Sequence, residues 1–439
     1  MLWNKELESA DRQKIEELQL ERLQKIVNRA YQQVPFYQKR FQEIGLKPED
    51  IQSLADIQKI PFTTKDDLRD NYPYDLFAEP LDDIVRIHSS SGTTGKPIVV
   101  GYTEQDMTNW TNCVTRLIAA AGGRRDDVAQ VAFGYGMFTG GFGLHYGLEN
   151  MGITVIPASS GNSERQIMMM EDFGTTILIS TPSYALYLAE VAADLGVDTR
   201  QLDLRLGLFG GEGHTEAMRE EIEDSWDMKV TENYGLSEIV GPGVSGECVE
   251  QQGLHVNEDH FYPEIVDPET GQVQKAGDRG ELVLTTLTKE GIPMLRYRTG
   301  DITFLNYQPC SCGRNTVRMN KILGRADDML IIKGVNVFPS QIESVLVGID
   351  NIGPHYQIIV RRDGYMDDIE VCVEMVSADI LDDFSALKNI ENEIRQKLRS
   401  VLNIDVDVKL VEPRTLERTS GKAERVIDLR KEEDTKEND

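Results

Sequence analysis

Short apolar runs alternate with helical stretches through the first half of the chain, and this alternation most narrows the folds open to it. The runs are IVRIH (84–88), VAQVAFG (128–134), ITVIPA (153–158), TTILIST (175–181) and LRLGLFGG (204–211). Helix-like segments at 104–121, 163–173, 182–195 and 214–226 lie among them. Strands and helices in alternation demand an α/β architecture with a largely parallel sheet. Residues 262–306 differ: their strands are joined by Pro- and Gly-containing turns, which indicates a β-rich subdomain.

Ahead of this block, residues 5–44 read as helix, with Leu18, Leu23, Ile26, Val27, Ala30 and Val34 at helical spacing and Pro35 ending or kinking it. Thr63 or Thr64 is a candidate N-cap for a following helix, with Asp66 and Asp67 in its first turn. After Gly324 the texture shifts to a small α+β unit: helices near 340–349 and 384–402, strands at 355–361, 368–376 and 405–411. The expected division is a domain over 1–326, a second over 327–430 and a charged, disordered tail over 431–439.

The 439 residues suit two or three domains at about 150 residues each. With 46 Lys plus Arg against 74 Asp plus Glu, the net charge is −28. Such a chain carries no electrostatic footprint for nucleic acid or an anionic membrane. No run approaches the ~20 apolar residues of a membrane span. The polar start MLWNKELESADRQ lacks the apolar core of a signal peptide, so a cytoplasmic setting is expected. Five cysteines, Cys113, Cys248, Cys310, Cys312 and Cys372, are too few and too scattered for a disulfide framework. Metal binding or plain burial accounts for them better.

Ser89-Ser90-Ser91-Gly92-Thr93-Thr94-Gly95-Lys96-Pro97 follows the first strand-like run. Glycines allow close backbone approach, hydroxyls and N–H groups donate to phosphate oxygens, and the lysine adds charge. The spacing is not that of a Walker A loop. A flexible Ser/Gly linker is the plain alternative, but a linker does not need Lys-Pro directly before the apolar run IVVGY.

This loop resembles the phosphate-binding loop of the adenylate-forming enzymes. Five further stretches follow in that superfamily's order: Gly210-Gly211-Glu212, Asn233-Tyr234-Gly235-Leu236-Ser237-Glu238, Tyr297-Arg298-Thr299-Gly300-Asp301, Gly324-Arg325-Ala326-Asp327-Asp328 and Arg418-Thr419-Ser420-Gly421-Lys422. VPFYQKRF, PFTTKDDLRDNYP and FGYGMFTGGFGLHYG (133–147) are similar to the phenylacetate–CoA ligase branch, and the likeness spans essentially the whole chain. It implies a large multi-sheet N-terminal domain of the acyl-CoA synthetase type and a small mobile C-terminal domain.

The implied reaction has two steps. A carboxylate, here an aryl acid, attacks the α-phosphate of ATP and expels pyrophosphate. The thiol of CoA then attacks the acyl carbon and expels AMP. The resemblance gives Lys422 the α-phosphate during adenylation and Glu238 the Mg²⁺, an ion suited to carboxylate oxygens. Ser89 to Lys96, Gly211, Glu212, Asn233, Tyr234, Gly235, Ser237, Asp301 and Arg325 would hold the nucleotide, with Tyr234 against adenine and Asp301 on the ribose hydroxyls. Asp327 falls at the hinge, and Lys333 and Gly334 near the CoA channel. Tyr135, Phe138, Phe142, Gly213, Ile239 and Pro242 would line the acyl pocket. Aromatics among glycines can form a flat slot for an aryl ring, and ordinary core packing explains them equally well.

Cys248 and His255, six residues between them, and the pair Cys310/Cys312 offer three thiolates and an imidazole, a tetrahedral zinc set. Scattered buried cysteines are the alternative. Some relatives in this branch share the pattern. Cys113 and Cys372 read as core, His260 and His355 as structural, and His88, His145 and His214 stay unassigned near the site. Members of the branch are often dimers, so a homodimer is expected. Two other functions share these motifs: an enzyme that passes its acyl adenylate to a carrier protein or amine, and a non-catalytic nucleotide-binding regulator. A pure binder needs neither Lys422 nor Glu238.

Overall fold

A computed structural model describes residues 1–90, 97–326, 330–332, 335–347, 349–363, 366–378, 380, 384–418 and 425–430. A single helical turn, Lys5–Glu8, precedes helix Arg12–Gln33, which is capped by Asp11, whose side chain accepts from the Lys14 N–H. Ile15, Leu23, Ile26, Val27 and Ala30 form its buried stripe. Val34 is extended because it precedes Pro35, and Pro35 opens the next helix, Pro35–Glu43, instead of merely ending the first. Thr64, not Thr63, caps helix Lys65–Asp70 in a capping box with Asp67.

The expected strands assemble into a nine-stranded sheet. Its order is Leu305–Asn306, Arg318–Met319, Leu254–Val256, Gly241–Glu247, Lys229–Leu236, Leu206–Gly210, Ile177–Ser180, Val128–Val131, Thr154–Ile156. The last five are mutually parallel, and Gly241–Glu247 turns back antiparallel on Lys229–Leu236. The sheet is thus mixed, and only the half built from strands earlier in the chain is parallel as expected. The run at 84–88 stays outside it: Arg86–Ser89 pairs antiparallel with Val99–Tyr102. The β-rich region forms an antiparallel sheet of Phe261–Val266, Gly280–Thr286, Tyr297–Thr303 and Gly324–Arg325.

Helix Gly140–Met151 is not visible in the sequence, because four glycines in twelve residues argue against it. Its packing explains them. A Cβ on Gly143 would lie 2.5 Å from Trp110, and one on Gly147 would lie 2.5 Å from Val114, both on the buried helix Glu104–Ala121. Close helix approach outweighs the propensity cost of about 1 kcal/mol per glycine.

The small C-terminal domain carries the sheet Asp407–Val411, Met366–Met375, Ile352–Asp363, Val426–Asp428, with helices Pro339–Leu346 and Phe384–Leu402. Its buried apolar residues, from Leu330 to Val408, make a core of their own. Among the described residues no helix is long and apolar enough to cross a membrane.

Candidate active site

The parallel strands end at one edge of the sheet, where the motif residues collect. This is the end at which open α/β sheets bind ligands. Gly210 and Asn233 are register partners on neighbouring strands, and the Asn233 amide donates to the Phe209 carbonyl at 2.7 Å. Glu212 accepts the Ser183 N–H at 2.8 Å, at the start of helix Pro182–Asp194.

Asn233, Tyr234 and Gly235 belong to strand Lys229–Leu236. Gly235 is needed there, since a Cβ would stand 1.8 Å from the Gly241 carbonyl oxygen. The turn itself is Ser237–Val240, and it is anchored from outside. Lys289 Nζ donates to the Ile239 carbonyl at 2.6 Å, the Tyr102 hydroxyl to Val240 at 3.2 Å, and the Trp110 indole to Pro242 at 2.7 Å. Ser237 Oγ lies 3.2 Å from Thr139 Oγ1. Glu238 is thus a buried carboxylate on a turn with two carbonyls held by side chains, while the Trp110 indole holds the strand that follows. Nothing in the sequence pattern marks Lys289, Tyr102 or Trp110 for this task. Lys289 lies under the Tyr102 ring, 4.7 Å from its centroid, and burial pushes its ammonium down to about 8, with Asp106 and Glu238 opposing.

Asp301 and Arg325 face each other across paired strands. The Tyr234 hydroxyl donates to Asp301 Oδ2 and Arg325 Nη1 to Oδ1, both at 2.6 Å.

Beside this turn lies an aromatic group. Tyr135 and Phe142 meet edge to face at 5.2 Å, and Phe142 stacks on Tyr146 at 6.2 Å. The Arg86 guanidinium covers Phe142 and Tyr146 at 5.0 and 5.1 Å. The Tyr135 hydroxyl is 3.0 Å from His145 Nδ1. His88 is buried among Tyr102, Trp110 and Phe142, and its Nδ1 donates to the Met137 carbonyl at 3.1 Å. Desolvation lowers its pKa, which favours the neutral imidazole. Tyr135, Phe138 and Phe142 are half-buried, Ile239 is fully buried, Pro242 is wedged against Gly143, and Gly213 is exposed.

Ser89 N–H donates to the Met137 carbonyl at 2.9 Å, and Ser90 Oγ accepts from the Ile98 N–H at 3.3 Å. Ser91, Gly92, Thr93, Thr94, Gly95 and Lys96 lie outside the described residues, as do Asp327, Lys333, Gly334, Lys422 and the tail.

Away from this edge, Cys248, His255, Cys310 and Cys312 converge, with their ligand atoms all within 4.8 Å of one another. Cys248 directly follows strand Gly241–Glu247, His255 sits on the next strand, and the two other cysteines come from the turn before Arg318–Met319. His255 Nδ1 contacts Thr316 Oγ1 at 3.1 Å, which leaves Nε2 facing Cys312 Sγ at 3.5 Å. Three thiols and an imidazole whose other nitrogen is held by the Thr316 hydroxyl suit zinc. Cys113 is buried on its helix and Cys372 on its strand, as expected.

The profile for AMP-binding enzymes matches residues 15–287, and that for the AMP-binding enzyme C-terminal domain matches 334–430. The chain therefore belongs to the AMP-binding enzyme family. Within it, the chain belongs to the phenylacetate–coenzyme A ligase family, a family of acid–thiol ligases. It is 47% identical to the phenylacetate-coenzyme A ligase of Thermus thermophilus, over 98% of this chain and 100% of that one. The Escherichia coli enzyme of the same name is also 47% identical, over 97% of each chain. Among solved structures, 2-hydroxyisobutyryl-CoA ligase in its postadenylation state with 2-HIB-AMP is 28% identical, with a TM-score of 0.93 over 100% of this chain and 94% of that one.

Proposed function

We propose that this protein is an AMP-forming ligase that joins an aryl acetate, phenylacetate foremost, to coenzyme A. The observation that carries the reading is the identity of 47% to phenylacetate-coenzyme A ligases over essentially the full length of both chains. The half-buried aromatic group of Tyr135, Phe138 and Phe142 supports an aryl acid over a small or long aliphatic one.

In this reading Asp301 accepts from the ribose hydroxyls, with Arg325 and Tyr234 holding the carboxylate in place. Ser237, aligned by Thr139, donates to the α-phosphate. Glu238 is the carboxylate that would hold Mg²⁺, and its burial on an anchored turn fits an ion ligand. Mg²⁺, when bound, neutralises charge on the phosphates. Lys422 steadies the α-phosphate as the acid attacks, Asp327 is the hinge, and Lys333 and Gly334 border the path of the CoA thiol. Neutral His88 and the aromatic wall exclude water from the acyl adenylate.

The Cys248–His255–Cys310–Cys312 set would hold a structural zinc, tying the edge of the large sheet to the turn at 310–314. The convergence of four donors from three separate stretches supports this over scattered burial. A cytosolic homodimer completes the reading and rests on the resemblance to this branch.

The test is a panel of acids assayed for CoA thioester, AMP and pyrophosphate. Aryl acetates are expected to show higher kcat/KM than acetate or palmitate, since a buried ring adds several kcal/mol at about 25 cal/mol per Å². Preference for acetate or palmitate, or acyl transfer to an amine or carrier protein without CoA, would overturn the proposal.

A further inference from the structure

Helix Pro182–Asp194 of the large domain faces the small domain, and its acidic residues make polar contacts across the boundary. Glu190 is the hub. Its Oε1 accepts from His355 Nε2 at 2.9 Å, and its two oxygens accept from Arg418 Nη2 and Nε, both at 3.2 Å. Arg418 also forms a two-point contact with Glu374, at 2.8 and 2.9 Å. Glu374 accepts the backbone N–H groups of Arg414 and Leu416 at 3.1 and 2.6 Å, which folds 414–418 onto strand Met366–Met375. One turn along the helix, Asp194 takes both of its contacts from Arg414, at 2.6 and 2.7 Å.

The solved relative separates fold from arrangement. Its postadenylation and thioesterification structures are equally similar in sequence, at 28%, and both cover the whole of this chain. The TM-scores are 0.93 and 0.72. The two structures of that one protein therefore differ in how their parts are arranged, and this chain has the arrangement of the first.

We infer that Glu190 is a positioning residue for adenylation: by holding Arg418 and His355 it seats the segment leading to Lys422 against the large domain. This rests on the adenylation role proposed for Lys422. Lys422 is four positions after Arg418, so chain connectivity keeps the two Cα atoms within about 14 Å of each other. The strength of the contact suits a step that must reverse in every turnover. Glu374 is buried and stays with its own domain, whereas Glu190 is 30% exposed. A partly hydrated ion pair biases an arrangement without locking it.

The experiment compares half-reactions in the full-length enzyme. Glu190→Gln keeps the side-chain shape and removes the charge. It should lower acid-dependent ATP–pyrophosphate exchange roughly tenfold, while thioester formation from pre-made acyl-AMP and CoA stays at the parent rate or rises. Arg418→Gln also strands buried Glu374, so it is read only through the double variant: adding Glu190→Gln to it should lower exchange little further, because the Glu190–Arg418 contact is already lost. His355→Gln removes a single limb and should show a smaller loss on the same side. Equal losses in both half-reactions would overturn the inference, because a merely structural role damages both. Lys422→Ala is run alongside. If it abolishes exchange and Glu190→Gln does not lower it, the role of Glu190 alone is refuted. If Lys422→Ala keeps full exchange, the reading of Lys422 itself fails.

Discussion

The Tyr234 hydroxyl donates a 2.6 Å hydrogen bond to Asp301 Oδ2, joining strands of two different sheets. Tyr234 comes from the parallel half of the large sheet and Asp301 from the β-rich one, 67 residues later. Burial and the neighbouring carboxylate hold the phenol far above its ordinary pKa, so it remains a donor throughout the working pH range. A hydrogen bond to a charged group contributes about 1.5–3 kcal/mol. Tyr234→Phe should therefore raise the KM for ATP by roughly tenfold with a smaller change in the KM for CoA. Steady-state kinetics with each substrate varied in turn is the check, and an unchanged ATP KM would remove Tyr234 from nucleotide binding.

Lys289 offers a test in which stability and activity move in opposite directions. Its ammonium is buried, and its pKa falls from an ordinary 10.5 to about 8. Below about pH 8 the folded and unfolded chains both carry the charge, and the burial cost, about 3 kcal/mol, is present in full. Between about pH 8 and 10.5 the folded chain gives up the proton while the unfolded chain keeps it, so the cost shrinks as pH rises. Lys289→Met should thus melt a few degrees higher than the parent at pH 7, with the gap narrowing towards pH 10. The freed Ile239 carbonyl should loosen the Glu238 turn and cut pyrophosphate exchange about tenfold. Lys289→Gln, which can still donate to that carbonyl, should recover much of the activity. A variant that melts lower at pH 7 and keeps full exchange would show that the turn does not depend on this lysine.

Zinc content is measured directly. Protein purified without chelators should carry about one zinc per chain. Cys312→Ser should lower zinc content and melting temperature together, because metal affinity is part of folding free energy. Metal analysis of the parent that finds no zinc would return the four residues to ordinary packing.

The hinge is tested apart from the lysine. Proline fixes φ, so Asp327→Pro should impair thioester formation from pre-made acyl-AMP while sparing pyrophosphate exchange. Lys422→Ala should do the reverse, with exchange reduced roughly 10²-fold, the scale for removing one electrostatic stabiliser. Misfolding cannot yield this opposed pair, since it would lower both half-reactions in both variants.

Much of the site is legible in the primary structure because it is written in short motifs. Asn233 to Glu238, Tyr297 to Asp301 and Gly324-Arg325 each occupy a few consecutive residues, and chain connectivity alone keeps each set together. The helix Glu104–Ala121 is equally legible, since its capping box and apolar stripe are local. Helix Gly140–Met151 is not, because its glycines are explained by Trp110, Val114 and Pro242, which arrive from elsewhere.

What the sequence by itself determined is therefore the alternation that makes the α/β sheet, the ordered motifs, the acidic charge and the set of cysteines. The tertiary structure alone decided which distant groups serve each motif. Lys289 reaches Ile239 across 50 residues, Trp110 reaches Pro242 across 132, and Glu190 meets Arg418 across 228. Periodicity and turn chemistry act over a few residues, so they leave a trace in the sequence. Contacts of this span depend on strand order and on how the two domains are set against each other, and a linear pattern carries no record of either.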